Sequence, residues 1–370
     1  MKEDFPTRRP FYFLIAGEAS GDQLGGQLMH DLKTRHKGEI DFIGIGGPRM
    51  QKEGLQSLFP MEELSIMGIF GILAKLPHLL KRLKQTIITI QKEKPDVVVT
   101  IDSPDFSFRV AKAIRKSRTE NSPKLIHYVA PTVWAWRPGR AKKIAKIYDE
   151  LWCLYPFEPP YFEKHGLPTK FLGHPLAQIP EGHAARFYEK SGIPEGTPLL
   201  TILPGSRKSE VTQLLPLFMK ASDVFLKTHP QYKVILPTVP QVETLVREMT
   251  KNWDARPYIF LGDDIRRDAF ATTSKALAAS GTVALELGLF SGAPFAIAYQ
   301  MSAATAIIAR RLITAKYACM VNILFDQEVI PEFLQEKCTV ENMVRFLNQA
   351  PSSQDDHRNA LKEMLTAKSA

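Results

Sequence analysis

The sequence predicts an α/β protein with two domains, each built on a parallel sheet. Apolar runs of strand length recur along the chain, and each is followed by a loop and then by apolar residues at helical spacing. The strand predicted at residues 199–203 restarts this alternation after a stretch, Gly173 to Pro198, with four glycines and four prolines. Such a composition is typical of a crossover between domains. We therefore expect domains over residues 1–175 and 176–350, followed by a polar tail over residues 351–370.

Composition places the chain among soluble globular proteins. Its 370 residues are 44% hydrophobic and 24% charged, which allows two large cores. The cysteines, Cys153, Cys319 and Cys338, are far apart and predict neither a disulfide framework nor a zinc site, in keeping with a reducing cytoplasm. The apolar run 11–17 is too short for an export signal and is interrupted by Glu18, so we interpret it as a first strand. No segment approaches the roughly 20 apolar residues that span a bilayer.

The net charge of +9 permits three kinds of partner: nucleic acid, an anionic membrane surface or phosphorylated substrates. Nucleic acid is disfavoured because the basic residues are interleaved with aliphatic side chains rather than with stacking aromatics. An NAD-dependent oxidoreductase is disfavoured because the G-x-G-x-x-G fingerprint is absent. No cluster of acidic residues marks a divalent metal site, and we expect neither a metal nor another cofactor.

An anion site is predicted where the strand at residues 199–203 ends. Pro204 and Gly205 make a tight turn, and a helical pattern begins at Glu210. Such a turn brings free backbone N–H groups and the positive end of a helix dipole to one point, beside Ser206 and Arg207. The alternative is an ordinary strand exit with a surface cation.

A second element of the same kind follows the predicted strand 276–279. Ser280, Gly281 and Thr282 offer hydroxyl and N–H groups at a helix start, and Glu286 lies one turn further on, within reach of ribose hydroxyls. Two helix starts facing one crevice would clamp a diphosphate. Together the two elements favour an anionic, nucleotide-like ligand.

In the first half, polar residues follow two predicted strands. Glu18 and Ser20 come after the strand at residues 11–16, and Asp102 comes directly after the strand at residues 97–101. The carboxyl ends of parallel strands are where open α/β sheets bind their ligands. Asp102 is our candidate general base, with Asp105 better employed as a helix cap.

Two further residue types at these strand ends keep alternatives open. Glu18 and His127 compete with Asp102 for the role of base. Trp134 and Trp136, in a loop with Arg137, suggest a substrate wall, although packing would explain either tryptophan.

An amphipathic helix is predicted within residues 64–92, which contain no acidic residue. Its apolar arc faces away from a basic arc, an arrangement typical of helices that lie on anionic bilayers. Core packing would explain the apolar arc alone, and Pro77 would at least kink the helix. The residues expected at the membrane are Ile69, Phe70, Leu73, Leu76, Lys81 and Arg82.

The motifs in these stretches resemble those of the lipid-A-disaccharide synthases, in the same order over roughly residues 11 to 340. The resemblance implies a GT-B glycosyltransferase: two Rossmann-like domains whose parallel sheets face a central cleft. The motifs are Ala16-Gly-Glu-Ala-Ser-Gly-Asp, Gly47-Pro-Arg-Met, Ile101-Asp-Ser-Pro-Asp-Phe, His127-Tyr-Val-Ala-Pro-Thr-Val-Trp-Ala-Trp-Arg, Leu203-Pro-Gly-Ser-Arg and Ser280-Gly-Thr-Val-Ala-Leu-Glu.

The implied reaction is an inverting transfer from UDP-2,3-diacylglucosamine to 2,3-diacylglucosamine 1-phosphate (lipid X), with a β-1,6 linkage formed and UDP released. The resemblance also implies a cytoplasmic enzyme, peripherally associated with the inner membrane of a Gram-negative-type bacterium. A sugar-nucleotide epimerase of the same fold is the nearest rival. For the polar tail two placements stay open: a return to the first domain, or an exchange with a second subunit in a homodimer.

Motif matching implies specific contacts with UDP. Lys208 departs from the family pattern, which has glycine there, so the local charge is higher in this chain. The residues implied to hold UDP are Arg207, Glu210, Ser280 and Glu286, with Asn322 of Met320-Val-Asn-Ile and Gln335 of Glu332-Phe-Leu-Gln-Glu as further matches.

Overall fold

A computed structural model describes residues 9–64, 69–301, 313–350 and 355–367, without the side chains of residues 69–75. The chain forms two units. The first unit is Met1–Gly173 and the second is His174–Ala370. Each unit has its own parallel sheet, and the two main clusters of buried apolar side chains lie one in each unit.

The first unit has a seven-stranded parallel sheet with strand order β3-β2-β1-β4-β5-β6-β7. Its strands are β1 Phe11–Ala16, β2 Asp41–Ile45, β3 Gln56–Ser57, β4 Val97–Ile101, β5 Lys124–Tyr128, β6 Glu150–Cys153 and β7 Thr169–Phe171. Its helices are α1 Ala19–Arg35, α2 Pro48–Lys52, α3 Ile69–Glu93, α4 Pro104–Lys116, α5 Arg140–Ala145 and α6 Pro159–Glu163.

The second unit repeats this plan with six parallel strands in the order β10-β9-β8-β11-β12-β13. Its strands are β8 Leu199–Leu203, β9 Lys233–Thr238, β10 Tyr258–Leu261, β11 Thr273–Ala279, β12 Phe295–Tyr299 and β13 Glu332–Leu334. Its described helices are α7 Ala184–Ser191, α8 Lys208–Thr228, α9 Glu243–Thr250, α10 Asp263–Thr272, α11 Thr282–Phe290, α12 Met320–Phe325, α13 Val340–Leu347 and α14 Asp355–Leu365.

Both sheets have the strand order of a Rossmann fold. The central strands are apolar along their length because they are buried on both faces, and every residue of β8 is buried. The order reverses between β1 and β4 in the first unit and between β8 and β11 in the second. Ligands of such sheets bind at this reversal, beyond the carboxyl ends of the strands. The predicted candidates that follow these four strands are Glu18, Ser20, Asp102, Arg207, Glu210, Ser280, Gly281, Thr282 and Glu286.

The tail forms α14, and α14 packs within the second unit. Leu361 and Leu365 are buried, and the helix contacts α11 and α12. The backbone N–H of His174 donates a hydrogen bond to the carbonyl of Leu365 (2.8 Å). This packing buries Leu361 and Leu365 within the second unit, and the two placements that the sequence left open stay predictions. A homodimer stays a prediction.

Candidate functional site

A cavity of about 410 Å³ lies at the carboxyl edge of the second sheet. It lies at the strand reversal, since residues after β8 and β11 line it together with the end of β9 and part of α10. Six residues predicted from the sequence line it together: Arg207, Glu210, Ser280, Gly281, Thr282 and Glu286. Its size is within the range of small-molecule sites.

The turn after β8 differs from its prediction in one respect. Glu210 turns its carboxylate back over the start of α8, where Oε2 accepts hydrogen bonds from the N–H groups of Ser206 (3.1 Å) and Arg207 (3.2 Å). A side chain at Gly205, which has φ of 115°, would collide with Glu210. The predicted free N–H groups of Ser206 and Arg207 are therefore already occupied. The exposed guanidinium of Arg207, 3.0 Å from Glu210 Oε1, is the cation that this turn offers to the cavity.

The start of α11, by contrast, opens into the cavity. Gly281 precedes the helix, and a Cβ added there would meet nothing within 4 Å. The N–H groups of Thr282 and Val283, which also line the cavity, have no partner within the helix. Ser280 is fixed beside them because its Oγ donates to the carbonyl of Ala318 (3.2 Å). The helix dipole and these donors favour an anion at α11 rather than at α8.

Glu286 supplies a carboxylate to the same cavity. Its side chain is only 14% exposed, and its Oε2 lies 3.0 Å from Nη2 of Arg266. Burial raises the pKa of Glu286, and the charge of Arg266 opposes that shift. Arg266 and Thr238 also line the cavity and were not predicted from the sequence. Thr238 is the last residue of β9, and Arg266 follows the carboxyl end of β10; this placement at strand ends is the signal that could have found them.

The structure does not bring Asn322 and Gln335 to the cavity lining. Asn322 is fully buried, and its amide is satisfied by backbone groups of Val329 and Ile330 and by the Glu332 carboxylate. The amide of Gln335 pairs with the backbone of Met301. Asn322 supports the cavity indirectly through Glu332. The Glu332 carboxylate accepts a hydrogen bond from the Asn322 amide and also from the backbone N–H groups of residues 318 and 319, next to the carbonyl of residue 318 that Ser280 contacts.

In the first unit, the turn after β4 carries Asp102 in a strained conformation. Asp102 and Ser103 both have φ of 49°, a region that residues with a side chain rarely adopt. Gly17, after β1, lies so close that a Cβ there would be 2.2 Å from Ser103 Oγ. Asp102 is partly buried, and burial raises its pKa. Glu18 and Ser20 are exposed at the start of α1, on the neighbouring strand end.

The prediction of His127 as a competing candidate for the base is wrong, because the side chain is enclosed in the core. It is 1% exposed, with Nδ1 2.8 Å from Thr100 Oγ1 and its ring against Phe108 and Tyr148. Burial lowers the pKa of His127 to about 3. A general base must reach the hydroxyl that it deprotonates, and a residue enclosed in the core cannot.

The two tryptophans of the loop are both half-buried but make different contacts. Trp134 Nε1 donates to Glu158 Oε1 (3.3 Å), and its ring meets the edge of Phe157, so it packs. Trp136 lies under the guanidinium of Arg137 (4.2 Å), and a place in a substrate wall stays a prediction for it.

Glu158, which anchors Trp134, should make stability depend on pH. It is 2% exposed, and burial raises its pKa from 4.5 to about 7. The folded state therefore binds a proton that the unfolded state has lost between these pH values. Glu158 by itself should lower the free energy of unfolding by on the order of 2 to 3 kcal/mol as pH rises from about 4.5 to 7, whereas His127, whose pKa burial lowers to about 3, contributes in the opposite direction. In urea titrations across this range, the free energy of unfolding of Glu158→Gln should therefore rise by this amount relative to wild type, and the exposed Glu163→Gln should show no such difference.

Helix α3 agrees only in part with its predicted membrane role. Leu83, Ile87 and Ile90 pack on the core, whereas Leu76 and Leu80 are 40% and 49% exposed. The side chains of Ile69, Phe70 and Leu73 lie outside the described residues. No helix in the described part of the chain is long and apolar enough to cross a bilayer.

The basic arc of α3 is less basic than predicted. Arg82 donates from Nε (2.6 Å) and Nη2 (2.8 Å) to Glu63, and its guanidinium lies over the ring of Phe59. The predicted purely basic face is wrong for Arg82, because Glu63 lies one residue before the acid-free stretch and folds back onto it. Lys81 and Lys84 remain exposed.

A family model described as lipid-A-disaccharide synthetase matches residues 12–369 of the chain. The chain belongs to the lipid-A-disaccharide synthetase family. The lipid-A-disaccharide synthase of Rhodospirillum centenum is 47% identical over 358 residues, covering 95% of this chain and 88% of that protein. The synthase of Ruegeria pomeroyi is 42% identical over 357 residues, covering 93% and 88%. A member of this family is a glycosyltransferase that forms the lipid A disaccharide.

Solved structures confirm the predicted GT-B fold class. The glycosyltransferase of kitacinnamycin superposes with a TM-score of 0.63 at 14% identity, covering 97% of this chain and 95% of that chain. The complex of MnaA from S. aureus with UDP superposes with a TM-score of 0.61 at 10% identity, covering 97% and 93%. At these identities the likeness concerns the fold alone.

Proposed function

We propose that this synthetase transfers 2,3-diacylglucosamine from UDP to the 6-hydroxyl of 2,3-diacylglucosamine 1-phosphate, with inversion at the anomeric carbon. The products are the β-1,6 disaccharide 1-phosphate and UDP. Family membership supports the disaccharide, and the cavity beside β8 and β11 supports the nucleotide donor. The observation that carries the proposal is the convergence of an open helix start, a cation and a carboxylate on that cavity.

Two parts of the donor, the diphosphate and the ribose, correspond to three features of the cavity. The diphosphate suits the start of α11 at Gly281 and Thr282, where N–H groups and the helix dipole favour negative charge. Arg207 lines the same cavity, and its positive charge can stabilise the negative charge that builds on the departing UDP. Glu286 can accept hydrogen bonds from ribose hydroxyls. The MnaA complex, of the same fold, was solved with UDP.

The acceptor's 6-hydroxyl must lose its proton as it attacks, and we assign that proton to Asp102. The carboxylate stands just beyond the rigid strand β4, and its pKa is raised by burial, which strengthens it as a base while it stays ionised. The proposal requires the acceptor to present its hydroxyl on the face opposite UDP.

In this mechanism, hydrogen-bond donors of the protein stabilise the negative charge on the leaving diphosphate. Among the described residues, no three metal-binding side chains lie together. Independence from a divalent cation stays a prediction, which is tested by turnover in excess chelator.

The decisive experiment supplies UDP-2,3-diacylglucosamine and lipid X to the purified enzyme and follows both disaccharide and UDP. We expect disaccharide and UDP in equal amounts, and no UDP when lipid X is left out. Altered sugar nucleotide without lipid X would instead favour the epimerase. Sugar stereochemistry at the new linkage, read by NMR, tests inversion.

We also propose that the enzyme works at the cytoplasmic face of the inner membrane, with the exposed end of α3 in contact with anionic lipid. Both substrates carry acyl chains, and Leu76 and Leu80 project from this end beside Lys81 and Lys84. Binding to anionic vesicles should weaken as salt is raised.

The double variant Leu76→Ser, Leu80→Ser should bind anionic vesicles on the order of 10- to 30-fold more weakly, since about half of each side chain is available for burial. Vesicle co-sedimentation measures this. The matched control is Ile88→Ser, which alters another exposed apolar residue of the same helix. Equal binding by the double variant and the control would remove α3 from the membrane contact, while an unchanged urea unfolding transition in both would show that the fold is intact.

A further inference from the structure

Arg266 stands between the cavity and two carboxylates. It belongs to α10, lines the cavity, and its side chain is 23% exposed. Its Nη2 lies 3.0 Å from Glu286 Oε2 and 3.2 Å from Asp263 Oδ1. Arg266 therefore links α10 to the one carboxylate that α11 contributes to the cavity.

The placement of Arg266 leaves a buried hydrogen-bond donor without a partner among the described residues. Its Nε is buried and has no hydrogen-bond partner among the described residues, and the same holds for Oγ1 of Thr238, another lining residue. A buried donor without a partner destabilises the folded state. Arginine at this position is therefore poorly explained by stability, and its remaining contacts point to a function through Glu286.

Arg266 favours the ionised form of Glu286. Glu286 is largely enclosed, and burial raises its pKa; Arg266 is the largest opposing influence. Asp263 raises the pKa of Glu286 further, and Arg267 lowers it. Arg207 and Glu210 also line the cavity, and they form an ion pair with each other. A protonated carboxyl would lose part of its capacity to accept hydrogen bonds.

We propose that Arg266 is a positioning residue that keeps Glu286 ionised and oriented, so that Glu286 accepts hydrogen bonds from both ribose hydroxyls of a nucleoside diphosphate. The inference rests on the proposed function, since it assumes that the cavity binds UDP. It adds a consequence: selection of ribonucleotides over nucleotides without ribose hydroxyls depends on Arg266, which need not touch the ligand.

The test measures the dissociation constants of UDP and 2′,3′-dideoxy-UDP by calorimetry from pH 5.5 to 8.5. Wild type should prefer UDP about 10-fold at pH 7, and its affinity should fall as acid protonates Glu286. Arg266→Gln should raise the midpoint of that fall by about one pH unit or more, because an opposite charge at this distance stabilises a carboxylate to that extent. At a pH between the two midpoints its preference for UDP should be smaller than that of wild type, and the preference should recover as the pH is raised further.

Companion variants separate positioning from mere packing. Arg266→Lys should restore most of the preference, and Glu286→Gln should bind UDP weakly without dependence on pH. Asp263→Asn should move the midpoint downward, since it removes a negative charge from a side chain that is 57% exposed and should not disturb the fold. The control is Arg247→Gln, which removes a surface arginine of α9 paired with Glu243.

The inference fails if Arg266→Gln binds UDP with the wild-type midpoint and preference. It also fails if Asp263→Asn leaves the midpoint in place, a measurement that stands even where Arg266→Gln does not fold. Failure of wild type to bind UDP at all would overturn the proposed function instead.

Discussion

Asp102→Asn is expected to lower kcat by about 100- to 10,000-fold, with the affinity for the UDP-sugar almost unchanged. The variant keeps the size of the side chain and most of its hydrogen bonding but cannot accept the acceptor's proton. In wild type, the rate should rise with pH as the base ionises, and burial, which raises the pKa of Asp102, shifts that rise to a higher pH than an unperturbed aspartate would give. Single-turnover kinetics at several pH values measure both effects.

Two further variants test whether Asp102 is the general base. Asp105→Asn, a control in the first turn of α4, should retain activity within a few-fold. Glu18→Gln tests the remaining competitor on the neighbouring strand end. A wild-type rate in Asp102→Asn with collapse in Glu18→Gln would transfer the role to Glu18, and equal small losses would mean that neither acts alone.

Arg207→Ala should reduce turnover by about 100- to 1,000-fold, the cost of removing a donor that stabilises charge formed in the transition state. The effect should lie mainly in kcat, because the negative charge on UDP grows as the glycosidic bond breaks. The structure makes this side chain the main cationic contribution of the α8 turn, since Glu210 occupies two of the turn's N–H groups.

Lys208→Ala is the matched control, because it removes the adjacent exposed cation and leaves the Glu210 contacts in place. It should retain most of the activity. Arg207→Lys should recover part of the loss. Equal losses in Arg207→Ala and Lys208→Ala would indicate a general effect of surface charge, and full activity in Arg207→Ala would remove the residue from the mechanism.

Much of the fold could be predicted because buried parallel strands are strongly patterned. The strands at residues 11–16, 97–101 and 199–203 were predicted with the bounds that the structure has. The short strand β3 and the edge strand β13 were not predicted, since two or three residues carry no periodic signal.

The candidate site was predictable to the extent that it follows strand ends. Ser280 reaches the cavity because it comes directly after the central strand β11, and Glu286 reaches it because it lies one turn into α11. Asn322 shows the limit of motif matching: its amide is consumed by the loop at residues 329–330, a contact between residues seven and eight apart that no pattern indicates.

The sequence by itself determined the alternation of central strands, loops and helices in both units, and with it which residues follow the carboxyl ends of the central strands. Local periodicity and turn chemistry act over a few residues, so they can be recognised without the fold. Only the tertiary structure decided how these side chains are paired: Glu210 over the start of α8, Arg82 with Glu63, His127 inside the core, and Arg266 beside Glu286. Pairing and burial depend on neighbours brought together by packing, and they set the charge and the reach of each group.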